Sequence, residues 1–163
     1  MKTTALLFIL IPVLTISSCV PNMESEGSIG QKTKKALEFP FLEDYGKALQ
    51  EAKKKGKNCL FYFTGWLSVD SRRLEDNILI YGGIKKMISK NFVYYSAYVD
   101  DKQPHPGGKG NIGEVNMQLQ KDRFKEIVQP MFYIVNPQGK LIAKQGNTFS
   151  VEEFQSFLNK GIK

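Results

Sequence analysis

Cys59-Leu60-Phe61-Tyr62-Phe63-Thr64-Gly65-Trp66-Leu67-Ser68-Val69-Asp70-Ser71-Arg72-Arg73-Leu74-Glu75 begins as an unbroken apolar run and ends as a helix start. Five apolar residues without alternation, Cys59–Phe63, predict a short strand covered on both faces. Ser68 and Asp70 carry side-chain oxygens suited to cap a helix predicted from Asp70 to about Leu79.

Upstream, Leu42, Tyr45, Ala48, Leu49 and Ala52 fall on one helical face. Lys53-Lys54-Lys55 then suit the negative end of that helix, and Gly56 suits its C-cap. Downstream, Gly82-Gly83 should break the chain before a second helical piece at Gly83–Ser89. Phe92–Val99 predicts a second strand, Asp100–Gly113 a loop and Glu114–Ile127 a helix. Met131–Val135 and Lys140–Lys144 predict a hairpin around Asn136-Pro137-Gln138-Gly139. Val151–Asn159 closes the chain as a helix, with Ser150 as N-cap and Glu153 as its capping-box partner. The order is α-β-α-β-α-β-β-α. Strands joined through helices run parallel, so an α/β fold is expected, with a central mixed sheet flanked by helices on both faces.

The chain has 163 residues, 42% of them apolar and 24% charged, which fits one globular domain and excludes a disordered chain. Two cysteines and one histidine exclude a disulfide scaffold and leave too few ligands for a structural zinc site. No metal or cofactor is expected. The formal charge of +7 could favour anionic lipid or acidic partners. Without a basic stripe interleaved with aromatics, nucleic acid is not an expected partner. Gly107–Gly113 lacks the spacing of a phosphate loop. His105, between two prolines, fits an exposed loop better than a base for Ser68.

The N-terminus reads as an address. Lys2 precedes the apolar run Ala5–Ile16, which is shorter than the roughly 20 residues needed to span a bilayer but suits a signal-peptide core. Ile16-Ser17-Ser18-Cys19 resembles a bacterial lipobox; the alternative is an ordinary secretory signal with an incidental cysteine. The lipobox implies removal of residues 1–18, lipidation of Cys19 with acyl chains such as palmitate, and anchoring to a membrane of the cell envelope, facing the periplasm or the surface. Residues 19–38 would form the attachment point and a flexible tether, with a mean span of roughly 20–25 Å. The domain would occupy residues 39–163.

The segment Phe63–Glu75 resembles the active-site stretch of thioredoxin-like domains, in particular the C-terminal domain of DsbD-type thiol:disulfide interchange proteins, whose pattern is approximately F-T-G-[aromatic]-x-C-V-N-C-R-K-M-E. Ala48–Lys57, Tyr98–Lys102, Gln129–Val135 and Asn136–Lys140 extend the likeness in the same order. The resemblance implies a thioredoxin-like fold. It also implies that Pro130 is cis opposite the active-site segment, and that Gln129, Pro130, Trp66 and Leu67 line a groove for an extended peptide; the alternative is a proline kept for loop geometry, with Trp66 covering the end of the sheet.

The departure lies at Ser68 and Ser71, where the family has C-x-x-C. Disulfide exchange needs a thiolate to attack and a second thiol to resolve the mixed disulfide, and a serine hydroxyl does neither. This weighs against an enzyme. Cys59, inside the first strand, reads as a buried small hydrophobe. The leading expectation is therefore a lipid-anchored envelope protein that binds an extended segment of a partner protein without redox chemistry. The alternatives are disulfide exchange through Cys59 and an accessory subunit of a DsbD-type cell redox system.

Overall fold

In a computed structural model, residues 44–108 and 110–162 are described. The expected signal, Cys19, the expected tether and the first residues of the expected domain, 39–43, lie outside them. Helix α1 (Tyr45–Lys55) leads into strand β1 (Asn58–Thr64). Helix α2 (Val69–Leu74) runs on through a π-helical turn, Glu75–Leu79, to helix α3 (Gly82–Asn91) and strand β2 (Phe92–Tyr98). Helix α4 (Ile112–Phe124), strands β3 (Met131–Val135) and β4 (Leu141–Gln145), and helix α5 (Val151–Asn159) complete it. The strand order is β2-β1-β3-β4. β1 runs parallel to β2 and antiparallel to β3, and β3 and β4 form the hairpin. Among the described residues no helix is long and apolar enough to cross a membrane.

The alternation of side chains along β1 divides the core in two. Leu60 and Tyr62 pack with Leu74, Ile78, Ile84, Ile88, Phe154 and Phe157, beneath α2, α3 and α5. Cys59, Phe61 and Phe63 pack with Ala48 and Ala52 of α1 and Phe124 of α4. All seven β1 residues are buried, as the unbroken apolar run requires.

Several boundaries differ from the expected ones for local reasons. The predicted helix from Asp70 to Leu79 is α only as far as Leu74; the Ile80 N–H then donates to the Glu75 carbonyl at 3.1 Å, the wider π turn. The chain breaks at Ile80-Tyr81, and Gly82-Gly83 form the first turn of α3. Helix α4 starts two residues early because Asn111 and Glu114 make a reciprocal capping box. It stops at Phe124, not Ile127, because Lys125 takes a left-handed conformation at φ 62°. Gly113 lets this helix press on the exit of β2, where a Cβ would lie 2.5 Å from the Val99 carbonyl oxygen. β2 ends one residue early, and β4 is shifted by one residue. Ser150 does cap α5, accepting from the Glu153 N–H at 3.1 Å. The Glu153 carboxylate turns instead to Thr148 Oγ1 at 2.6 Å and Gln145 Nε2 at 2.9 Å, so the expected capping box is half formed.

Candidate functional site at the end of the sheet

Phe63 pairs with Met131, so the residues after β1 and those before β3 emerge at the same end of the sheet. Trp66 and Leu67 leave β1 there, and Gln129 and Pro130 enter β3. The Gln129–Pro130 peptide bond is cis. The Gln129 side chain donates to Gln120 Oε1 at 2.8 Å, and Gln120 in turn donates to the Val128 carbonyl at 2.9 Å. These bonds hold the approach to Pro130 from α4. The Gln129 backbone N–H and carbonyl make no hydrogen bond among the described residues.

Asp100, just beyond β2, fixes the other wall. Its Oδ1 accepts from the Trp66 N–H at 2.8 Å and its Oδ2 from the Leu67 N–H at 3.0 Å. Both bonds are charge-assisted, which strengthens them. The Trp66 ring stacks on Tyr98, with centroids 3.4 Å apart and planes at 13°. Leu67 is 89% exposed. Val69, Ile127 and Val128 are also exposed. The left-handed stop at Lys125 puts Ile127 and Val128 in irregular chain rather than on a helix face.

Ser68 and Ser71 serve the local fold. Ser68 is the N-cap of α2, and its hydroxyl accepts from the Ser71 N–H at 3.2 Å. Ser71 is fully buried in the first turn. Cys59 lies within β1; its thiol donates to the Ala48 carbonyl at 3.2 Å. Burial pushes this thiol up to about 12, so near neutral pH it does not supply the thiolate that exchange needs. His105 lines a different cleft, of about 930 Å³, with Tyr45, Tyr95, Asn116 and Arg123, and its Nδ1 accepts from the Gly107 N–H.

Sequence reading missed a buried polar cluster beneath the site. Glu75 is fully buried at the start of the π turn. Its Oε1 receives Arg72 Nη2 at 2.7 Å, the Tyr62 hydroxyl at 3.0 Å and the Thr64 hydroxyl at 3.3 Å. Burial raises the Glu75 carboxyl to about 7, although Arg72, Tyr62 and Thr64 pull it the other way. Arg72 also donates to the Gly65 carbonyl at 3.2 Å and lies 5.7 Å from the Trp66 ring and 5.9 Å from Tyr98. One guanidinium thus joins the buried acid to the wall of the site. The spacing of Arg72 and Glu75, three residues apart on a helix, was the available signal.

No protein-family model and no curated protein matches the chain. Solved structures do. DsbH oxidoreductase superposes with a TM-score of 0.62 at 20% identity, over 74% of this chain and 85% of that one. A disulphide isomerase from Xylella fastidiosa Temecula1 gives 0.52 at 21% identity, over 86% and 95%. The oxidised C-terminal domain of DsbD from Neisseria meningitidis gives 0.51 at 12% identity, over 81% and 95%. The chain therefore has a thioredoxin-like α/β fold, and likeness at these identities speaks for the fold alone.

Proposed function

We propose that this is a thioredoxin-like binding protein of the cell envelope, tethered by lipid at Cys19, that holds an extended apolar segment of a partner protein without exchanging disulfides. Similarity to structures named as an oxidoreductase and a disulphide isomerase suggests descent from thiol:disulfide chemistry. By the resemblance of Phe63–Glu75 to the thioredoxin-like active-site segment, Ser68 and Ser71 would take the places of the family's two thiols, and Cys59 is buried in the core. The observation that carries the reading is Leu67, 89% exposed on a backbone clamped by Asp100. A solvent-facing leucine at the same end of the sheet as Gln129, whose backbone N–H and carbonyl make no hydrogen bond among the described residues, offers an apolar wall and backbone groups for an extended peptide.

The probe is a reduced and alkylated insulin B chain, which is extended and has no thiol left to react. Amide shifts in nuclear magnetic resonance should gather at Trp66–Val69 and Val128–Met131. Shifts gathered elsewhere, or none at millimolar peptide, overturn the reading. In parallel, insulin reduction with dithiothreitol should stay at background; activity abolished by Cys59→Ala would restore the enzyme. Cys19→Ser should release the protein from membranes or leave its precursor uncleaved.

A further inference from the structure

The opposite end of the sheet is a different surface. Asn58 of β1 lies beside Phe92 of β2, and Cys59 beside Val135 of β3, so the strands' other ends meet there. Helices α1 and α3 finish at this end, because each leads directly into the start of a strand. Asn58 Nδ2 donates to the Gly161 carbonyl at 2.9 Å and brings the end of α5 to the same place. Lys57 Nζ reaches the Ser89 carbonyl at 3.4 Å and links the α1 exit to α3. The β3–β4 turn completes the surface.

Each of these stretches is basic. The α1 exit carries Lys53, Lys54, Lys55 and Lys57; α3 carries Lys86 and Lys90; Lys140 sits at the turn and Lys160 after α5. No acid falls within 53–57, 86–91, 136–140 or 159–162. The nearest acid on α1, Glu51, is paired with Lys55 at 2.9 Å. Asp70, Asp100, Asp101 and Glu114 belong instead to the loops and helix starts around the Trp66 end. That end is mixed in charge, since Arg72, Arg73 and Lys102 stand there too, whereas the stretches at the lysine end carry no acid.

We propose that this lysine face rests on an anionic lipid surface. The cations are all lysine, point charges on flexible stems that suit a diffuse negative plane; arginine forks suit single phosphates or carboxylates held in two-point contact. The lysines converge from four separate segments onto one end, as contact with a plane requires. In a chain tethered by lipid, a basic face adds a second, weaker attachment to the first. The tether belongs to the function proposed above, whereas the charge face stands on its own residues. The consequence is orientation: β1 is seven residues long, so the Trp66–Leu67 site would stand about 23 Å further from the headgroups, open to a partner.

The test is amide hydrogen exchange of the full chain with phosphatidylcholine vesicles and with vesicles enriched in phosphatidylglycerol. Slower exchange at 53–57, 86–91 and 136–140 with the anionic vesicles alone, abolished at about 0.5 M salt, is the expected result. Each lysine removed should weaken docking by about fivefold. Lys53→Gln, Lys54→Gln, Lys57→Gln and Lys90→Gln combined should abolish the protection, while the matching arginine variant, checked for the same thermal unfolding, should keep it. Equal exchange on both vesicles, or protection by polyglutamate and not by lipid, overturns the proposal. Failure of the tether reads differently: the chain then does not float with phosphatidylcholine vesicles.

Discussion

Arg72 Nη2 lies 2.7 Å from Glu75 Oε1, and the Glu75 side chain is completely sealed from solvent while the Arg72 side chain keeps 15% of its surface exposed. The pair is thus asymmetric: the Arg72 side chain keeps some solvent contact and lies beside the aromatic wall of the site, although its Nε and Nη1 are buried, and the acid is sealed. Desolvation outweighs the attraction of Arg72, and Glu75 holds its proton up to about pH 7.

That asymmetry sets a pH dependence. Glu75 titrates at about 7 when folded and near its ordinary value of 4.5 when unfolded. Between those values the folded state binds more protons, so stability falls as pH rises. Its contribution is full below pH 4.5 and lost above pH 7, a change of about 3 kcal/mol. Urea unfolding of the wild type and Glu75→Gln from pH 4.5 to 8 checks this: the variant should lack most of the slope. A wild-type profile that rises through this window would reverse the assignment.

The Asp100 clamp predicts a second effect. Asp100→Ala removes both acceptors for the Trp66 and Leu67 N–H groups and should cost about 2–3 kcal/mol. Hydrogen exchange at those two amides should accelerate. Asp100→Asn, which keeps one acceptor, should fall between.

Lys125 predicts a gain. It closes α4 at φ 62°, a conformation that glycine adopts without strain. Lys125→Gly should stabilise the protein by about 0.5–1 kcal/mol in urea unfolding. No stabilisation would mean that contacts of the lysine side chain matter more than its backbone.

These residues also mark how far the sequence could be read. The layered sheet was legible because Cys59–Phe63 alternates between two buried faces and α5 carries its own cap, both local signals. The stop at Lys125 was not, since neither glycine nor proline marks it and Ile127 continues the helical period. Ser68, Ser71, Trp66 and Pro130 could be located from one motif and its hairpin. The partners that define the site are distant: Asp100 lies 34 positions from Trp66, and Tyr62 lies 13 from Glu75. The first arises when the parallel strands align and the second when α2 and its π turn pack on β1, and no periodicity encodes either.

Leu67 separates binding from folding. At 89% exposure its side chain contributes little to the core, so Leu67→Ser should change unfolding free energy by less than about 0.5 kcal/mol. If Leu67 forms the apolar wall for an extended segment, the same change should weaken binding of the alkylated insulin B chain by about tenfold, the loss expected for removing one well-buried leucine side chain from an interface. Trp66→Ala is the less clean probe, because it also unstacks Tyr98 and uncovers Arg72. Titration calorimetry on Leu67→Ser, beside its urea curve, decides the matter: unchanged binding with an unchanged fold would move the contact surface away from Leu67.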